Sequence, residues 1–142
     1  MAPTSRSEIM RAVKSRDTSP ERLVASLLDE LAIEYSRDDA SLPGRPDFVV
    51  RRVKRGQRPI ALFVHGCWWH AHSCKRGARV PKTNRKYWRE KIDRNRRRDR
   101  RVARELRAMG YSVWTLWECR LMAKTLPTRF SRHLQRTARR KK

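Results

Sequence analysis

Two short apolar runs, Asp47-Phe48-Val49-Val50-Arg51-Arg52-Val53 and Ile60-Ala61-Leu62-Phe63-Val64, flank the polar stretch Lys54-Arg55-Gly56-Gln57-Arg58-Pro59. β-Branched and aromatic residues fit a pleated, half-buried surface, so each run predicts a strand, and the polar stretch between them predicts a hairpin loop. The turn signal Leu42-Pro43-Gly44-Arg45-Pro46 opens the first strand. Further upstream, Ser19-Pro20-Glu21 predicts a helix start, with Ser19 as cap, Pro20 in the first turn and Glu21 favourable to the dipole. Leu23, Leu27, Leu28 and Leu31 follow at helical spacing and predict its buried face. Downstream, a long helix is expected from Asn84 to Met109, with Trp88, Ile92, Val102 and Leu106 as core contacts and Gly110 placed to end it. Tyr111-Ser112-Val113-Trp114-Thr115-Leu116-Trp117 predicts a third strand that runs into Glu118-Cys119, and a weaker helix is expected from Pro127. The order helix, strand, strand, helix, strand, helix specifies a mixed α/β domain.

With 142 residues the chain has room for one compact domain. The expected division is a basic arm at 1–18, a folded domain at 19–126 and a basic tail at 127–142. Lys and Arg number 37 against 14 Asp and Glu, a formal charge of +23. Such an excess repels itself in a compact state unless a polyanion neutralises it, and nucleic acid is the partner it suggests. The imbalance peaks between Lys82 and Arg107, where 13 basic residues meet 4 acidic ones. Ordinary solvated faces mix signs, so this helix is expected to contact phosphates, which position a protein on DNA without specifying sequence. The longest apolar run, Ile60 to Val64, is far too short to span a bilayer, and the first residues lack the apolar segment of a secretory signal. A cytoplasmic, non-membrane protein is expected.

Three of the four histidines and two of the three cysteines fall within His65-Gly66-Cys67-Trp68-Trp69-His70-Ala71-His72-Ser73-Cys74. Thiolate and imidazole are the usual zinc ligands, so Cys67, His72 and Cys74, joined by the distant Cys119, would complete a closed, structural Cys3His site. The alternative is that these cysteines are small buried hydrophobes and the histidines ordinary polar groups. If zinc takes His72, then His65 and His70 remain for other work. In the predicted hairpin Asp47, at the start of one strand, and His65, at the end of the next, meet at one end of the sheet, where a carboxylate can hold Mg2+ beside an imidazole. Trp68 and Trp69 in the same loop, with Trp88, could stack on bases or wedge between them; Trp88 is equally suited to the core.

Several segments in collinear order, Met10-Arg11-Ala12-Val13, Arg16-Asp17-Thr18 followed by Pro20-Glu21, Leu42-Pro43-Gly44-Arg45-Pro46-Asp47, Phe63-Val64-His65-Gly66-Cys67-Trp68-Trp69-His70, Tyr87-Trp88-Arg89-Glu90-Lys91-Ile92 and Trp117-Glu118, resemble the very-short-patch repair (Vsr) endonucleases over roughly residues 8–120. The resemblance implies a restriction-endonuclease-like α/β core, a mixed central sheet flanked by helices, together with a structural zinc site. It also implies Mg2+-dependent nicking of duplex DNA 5′ of the thymine at T:G mismatches left by 5-methylcytosine deamination. Asp47 would hold the catalytic Mg2+ with the main chain of Val64, His70 would act as general base, His65 would assist at the phosphate or leaving group, and Glu21 would support the histidine network. Cys67, His72, Cys74 and Cys119 would hold zinc. Trp68, Trp69 and Trp88 would form a wedge from the major groove, and Met10 would enter the minor groove. The implied partners are mismatched double-stranded DNA and mismatch-repair proteins, with the enzyme itself a monomer. Val64 stands where this family commonly has threonine, and Trp68 where it commonly has Phe. The competing readings are a nuclease of the same fold with another DNA target and a non-catalytic, zinc-stabilised DNA-binding protein.

Overall fold

The structure, a computed structural model, describes residues 18–52, 56–70, 72–75 and 83–141. Helix α1 (Ser19–Glu30) is capped one residue earlier than expected: the Thr18 hydroxyl, not Ser19, accepts from the Glu21 N–H at 3.4 Å. Its buried stripe is Glu21, Val24 and Leu28 rather than the leucines alone. Leu31 is exposed because the helix has already ended there, and Ala32 turns the chain with a φ of 57°.

Strand β1 (Tyr35–Arg37) was not expected. Three residues carry too little pattern to declare a strand, and this one exists through pairing with β2 (Phe48–Val50), Tyr35 opposite Val50 and Arg37 opposite Phe48. The expected hairpin is present: β2 pairs antiparallel with β3 (Ile60–His65), Phe48 opposite Leu62. Helix α2 (Arg85–Ala108) then crosses over, and β4 (Ser112–Trp117) returns parallel to β3, with Ile60 opposite Ser112 and His65 opposite Trp117. The sheet order is β1-β2-β3-β4. A short 3-10 turn (Glu118–Leu121) and helix α3 (Thr128–Thr137) follow.

The near-continuous apolar run of β3 reflects burial on both faces. Ile60, Leu62 and Val64 join Phe48, Val50 and Leu116 in a core closed by Val24 and Leu28 of α1 and Phe130 and Leu134 of α3. Ala61 faces the other way, packing with Val102 and Leu106 of α2, and Phe63 joins it. Period-two alternation therefore sends His65 to the α2 side. Residues after α3 are also tied in, through bridges from Ile33 to Arg140 and from Arg52 to Ala138. The loop before β2 lies directly on α2: Gly44 has a φ of +71°, and a Cβ there would collide with the Val102 methyl groups. Among the described residues, no helix is long and apolar enough to cross a membrane.

Candidate active site

The parallel register sets the chemistry at one end of the sheet. Because His65 ends β3 opposite Trp117 at the end of β4, the residues just beyond each strand, Gly66-Cys67 and Glu118-Cys119, emerge side by side. The Cys119 N–H points at Cys67 Sγ at 3.4 Å, Cys119 Sγ lies 3.6 Å from His72 Nδ1, and the His72 N–H donates to the Cys67 carbonyl at 2.9 Å. The His72 ring stacks on Trp117, centroids 4.2 Å apart. Cys67, His72, Cys74 and Cys119 each bring a ligand atom within 4.8 Å of the others. Three sulfurs and one imidazole nitrogen at that spacing fit a tetrahedral, closed zinc-type site. Burial pushes the Cys67 thiol up to about 12, and a bound cation would reverse that preference by stabilising the thiolate.

Beside this group the turn after β3 folds His70 back over His65. The two imidazoles stack face to face, centroids 3.7 Å apart and 2° from parallel. His70 Nδ1 lies 2.6 Å from Asp99 Oδ2, a carboxylate that the sequence reading did not single out. One helical turn earlier, Asn95 Nδ2 donates to the Trp69 carbonyl at 3.0 Å, so α2 holds the turn at two consecutive residues. Burial pushes the Asp99 carboxyl up, but the His70 hydrogen bond, with the neighbouring imidazoles and the Arg98 guanidinium, outweighs it and brings the group below its ordinary value. Asp99 is therefore ionised at neutral pH. Its pairing places the His70 proton on Nδ1 and leaves Nε2 as a proton acceptor. His65 is pushed down to about 3, first by burial and then by the stacked His70 ring beside it, so it is a neutral imidazole. Its Nδ1 is buried with no hydrogen-bond partner among the described residues.

The third group lies at the hairpin end. Asp47 precedes β2, and its Oδ2 accepts the Val64 N–H at 2.7 Å, the convergence of Asp47 with the end of β3 that the hairpin predicts. Asp38 enters through the β1–β2 pairing, its N–H donating to the Asp47 carbonyl at 3.2 Å. Glu21 reaches in from α1, its side chain only 3 % exposed and 3.5 Å from the Arg37 guanidinium. Oxygens of Glu21, Asp38 and Asp47 lie within 4.8 Å of one another. Glu21 thus sits with the carboxylates, whereas the carboxylate bonded to the histidine pair is Asp99.

Trp68, Trp69 and Trp88 pack edge to face in a triangle, centroids 4.9–5.6 Å apart. Trp88 is 1 % exposed and Trp68 7 %, while Trp69 is half-buried. The Lys91 ammonium lies 5.4 Å from the Trp69 ring and 5.6 Å from the Trp88 ring. Along the outside of α2, Arg94, Arg96, Arg97, Arg98, Arg100, Arg101 and Arg104 are all exposed. Met10 lies outside the described residues.

The fold, a four-stranded mixed sheet between helices with a Cys3His ligand group, is consistent with a restriction-endonuclease-like core. The family model for DNA mismatch endonuclease Vsr matches residues 1–76. The DNA mismatch endonuclease Vsr of Escherichia coli is 44% identical over 117 residues, covering 82% of this chain and 71% of that protein. The type II nicking enzyme V.XorIIP of Xanthomonas oryzae is 40% identical over 121 residues, 85% of each chain. The type II nicking enzyme V.NmeAIP of Neisseria meningitidis is 37% identical over 123 residues, 87% of this chain and 84% of its own. With the family model spanning more than half of the chain, and relatives of 37–44% identity matched over more than four fifths of it, the chain belongs to the DNA mismatch endonuclease Vsr family.

Proposed function

We propose that this endodeoxyribonuclease nicks duplex DNA 5′ of the thymine at T:G mismatches produced by 5-methylcytosine deamination, through Mg2+-dependent phosphodiester hydrolysis. The observation that carries the reading is the Asp99–His70–His65 group at the end of β3, next in the chain to Val64, whose N–H Asp47 accepts. It combines a buttressed base, a neutral imidazole and a carboxylate at one end of the sheet.

Family membership makes the chain an endonuclease acting on DNA; the mismatch and the metals belong to the proposal. The hairpin end fits Mg2+, a hard cation that takes one or two carboxylates plus water and phosphate oxygens. Asp47 would be its principal ligand. The Val64 carbonyl would be the second, because the N–H and C=O of one residue in an antiparallel strand point to the same side, and the Val64 N–H already meets Asp47. A main-chain ligand does not require the family's usual threonine hydroxyl. Bound there, Mg2+ would supply charge neutralisation at the phosphate and a more acidic water.

The protein's own groups handle the proton and the positioning. His70 Nε2 accepts the proton of the attacking water as its oxygen bonds to phosphorus and the bond from phosphorus to the departing oxygen breaks, while Asp99 holds Nδ1 and stabilises the imidazolium that forms. His65 cannot serve as a cation near neutral pH; it presents a neutral ring and donates one hydrogen bond towards the phosphate or the departing oxygen. Glu21 fixes Arg37 and the carboxylate geometry. Cys67, His72, Cys74 and Cys119 would hold a structural zinc, which would tie the turn after β3 to the end of β4. The exposed arginines of α2 bind the phosphate backbone, Trp68, Trp69 and Trp88 wedge the mismatch from the major groove, and Met10 of the 1–18 arm enters the minor groove. Unstacking is least costly at a mispair, so the wedge selects the lesion as well as binding it. The enzyme acts as a cytoplasmic monomer, with mismatch-repair proteins as further partners.

A panel of matched, T:G-mismatched and branched duplexes with Mg2+ tests this reading. Nicking confined to the T:G duplex is expected; equal cleavage of the matched duplex would sink the mismatch assignment.

A further inference from the structure

At the opposite end of the sheet from the catalytic groups, a cleft of about 370 Å³ opens where β3 and β4 begin. Its lining includes three arginines from three separate elements: Arg58 from the loop before β3, Arg107 from the last turn of α2, and Arg129 from the first turn of α3. Tyr111, Ser112, Val113 and Trp114 complete the lining, and among the described residues no carboxylate lines it. Position along the sheet separates this cleft from the nicking centre. Ser112 pairs with Ile60 and donates its N–H to the Pro59 carbonyl at 2.9 Å, whereas the catalytic end is at His65 and Trp117. Five residues of extended chain span about 17 Å.

Several features make this cleft an anion site beyond the general charge of the chain. Arg37 and Arg101 meet carboxylates at 3.5 and 3.8 Å; the guanidinium groups of Arg58, Arg107 and Arg129 make no hydrogen bond or ion pair among the described residues. Arg129 also sits at a helix N-terminus, the positive end of the dipole, where a cation is disfavoured. That helix has no acidic residue in its first turn and no side-chain cap. The Ser112 hydroxyl accepts from Trp114 Nε1 at 2.9 Å, so its own proton is available to donate, and Tyr111 adds a second hydroxyl. Three forked guanidiniums, two hydroxyls and a positive helix end suit a tetrahedral oxyanion, for which arginine gives bidentate contacts.

We propose that this cleft is a second phosphate site, and that it binds a backbone phosphate of DNA lying away from the nicked bond. The inference rests on the DNA-binding part of the proposed function and is independent of the mismatch. Phosphodiester is favoured over free phosphate because the cleft is open, continuous with the arginine-bearing helix, and borne by a chain of charge +23.

The test follows the arginine Nε–Hε resonances of the full chain during titration with a matched duplex, with inorganic phosphate and with a polyglutamate peptide. The Arg58, Arg107 and Arg129 signals are expected to shift together with the duplex and to saturate. The double variant Arg58→Gln/Arg129→Gln should lower the slope of log K against log salt by about one and leave the single-turnover nicking rate at saturating DNA unchanged. Signals that do not move at duplex saturation overturn the proposal. So do signals that respond only to inorganic phosphate, which would make the cleft a small-anion site, or only to the peptide, which would make it a protein-docking site. Failure to nick T:G DNA would contradict the proposed function without touching this result.

Discussion

Replacing Asp99 by Asn keeps the side chain's shape and removes the charge that holds His70. In the folded protein the carboxylate is 2.6 Å from His70 Nδ1, with 26 % of its side chain exposed. It thus accepts a charge-assisted hydrogen bond in a partly desolvated setting. Such a bond contributes about 1.5–3 kcal/mol, and one that strengthens as His70 gains the water's proton acts on the transition state more than on the ground state. At about 1.4 kcal/mol per decade the single-turnover nicking rate should fall roughly 10- to 150-fold. The loss should be greater if the amide turns its NH2 towards Nδ1 and forces the wrong tautomer, up to the roughly 10⁴-fold ceiling for general-base catalysis. DNA binding, carried by the arginines and aromatic groups, should change by no more than about twofold. The assay is single-turnover nicking of an end-labelled T:G duplex at saturating enzyme, with Kd measured separately in Ca2+. An unchanged rate would refute the role given to Asp99, and a loss residing wholly in Kd would make it a binding residue instead.

Cys119→Ser should release the bound metal, about one equivalent per chain by elemental analysis of the wild type, and lower the melting temperature; retention of a full equivalent would refute the four-ligand site. Gly44→Ala places a methyl group against Val102 at a φ of +71°, so it should cost about 2–4 kcal/mol and lower Tm by about 10 °C, measured by circular dichroism. His65 should make stability pH-dependent. Its folded value of about 3 lies below the ordinary 6.5, so the unfolded chain takes up the proton first. Above about pH 6.5 the group has no pH-dependent effect, and as pH falls towards 3 stability drops by up to about 1.4 kcal/mol per unit. Urea unfolding of wild type and His65→Gln between pH 5 and 8 should show a shallower acid decline in the variant, and parallel profiles would contradict the burial argument.

The strands that carry the site were legible because β3 is buried on both faces and therefore reads as an unbroken apolar run. The hairpin that follows from it brought Asp47 to the end of β3 without further information. The metal group was legible for a chemical reason: few residue types bind zinc, so Cys119 could be assigned from 45 residues beyond Cys74. Asp99 was not, because in sequence it is one acid within Arg96-Arg97-Arg98-Asp99-Arg100-Arg101, where the local pattern speaks only of charge. A usable signal was present, since Asp99 lies three residues before Val102 and seven before Leu106, on the buried stripe of α2. What it meets there depends on a turn 29 residues away. Asp38 escaped notice for a similar reason, because β1 is too short to announce the pairing that delivers it. Trp88 suited both wedge and core, and its 1 % exposure records the core packing.

The most direct test of the account compares wild type with Asp47→Asn on the same T:G duplex in Mg2+, mapping the cut to the nucleotide. Wild type should nick once, immediately 5′ of the mispaired thymine, and the variant should bind the duplex with little change while producing no nick. Nicking by Asp47→Asn at the wild-type rate, or a wild-type cut unrelated to the thymine, would contradict the placement of the catalytic centre at the end of the β2–β3 hairpin.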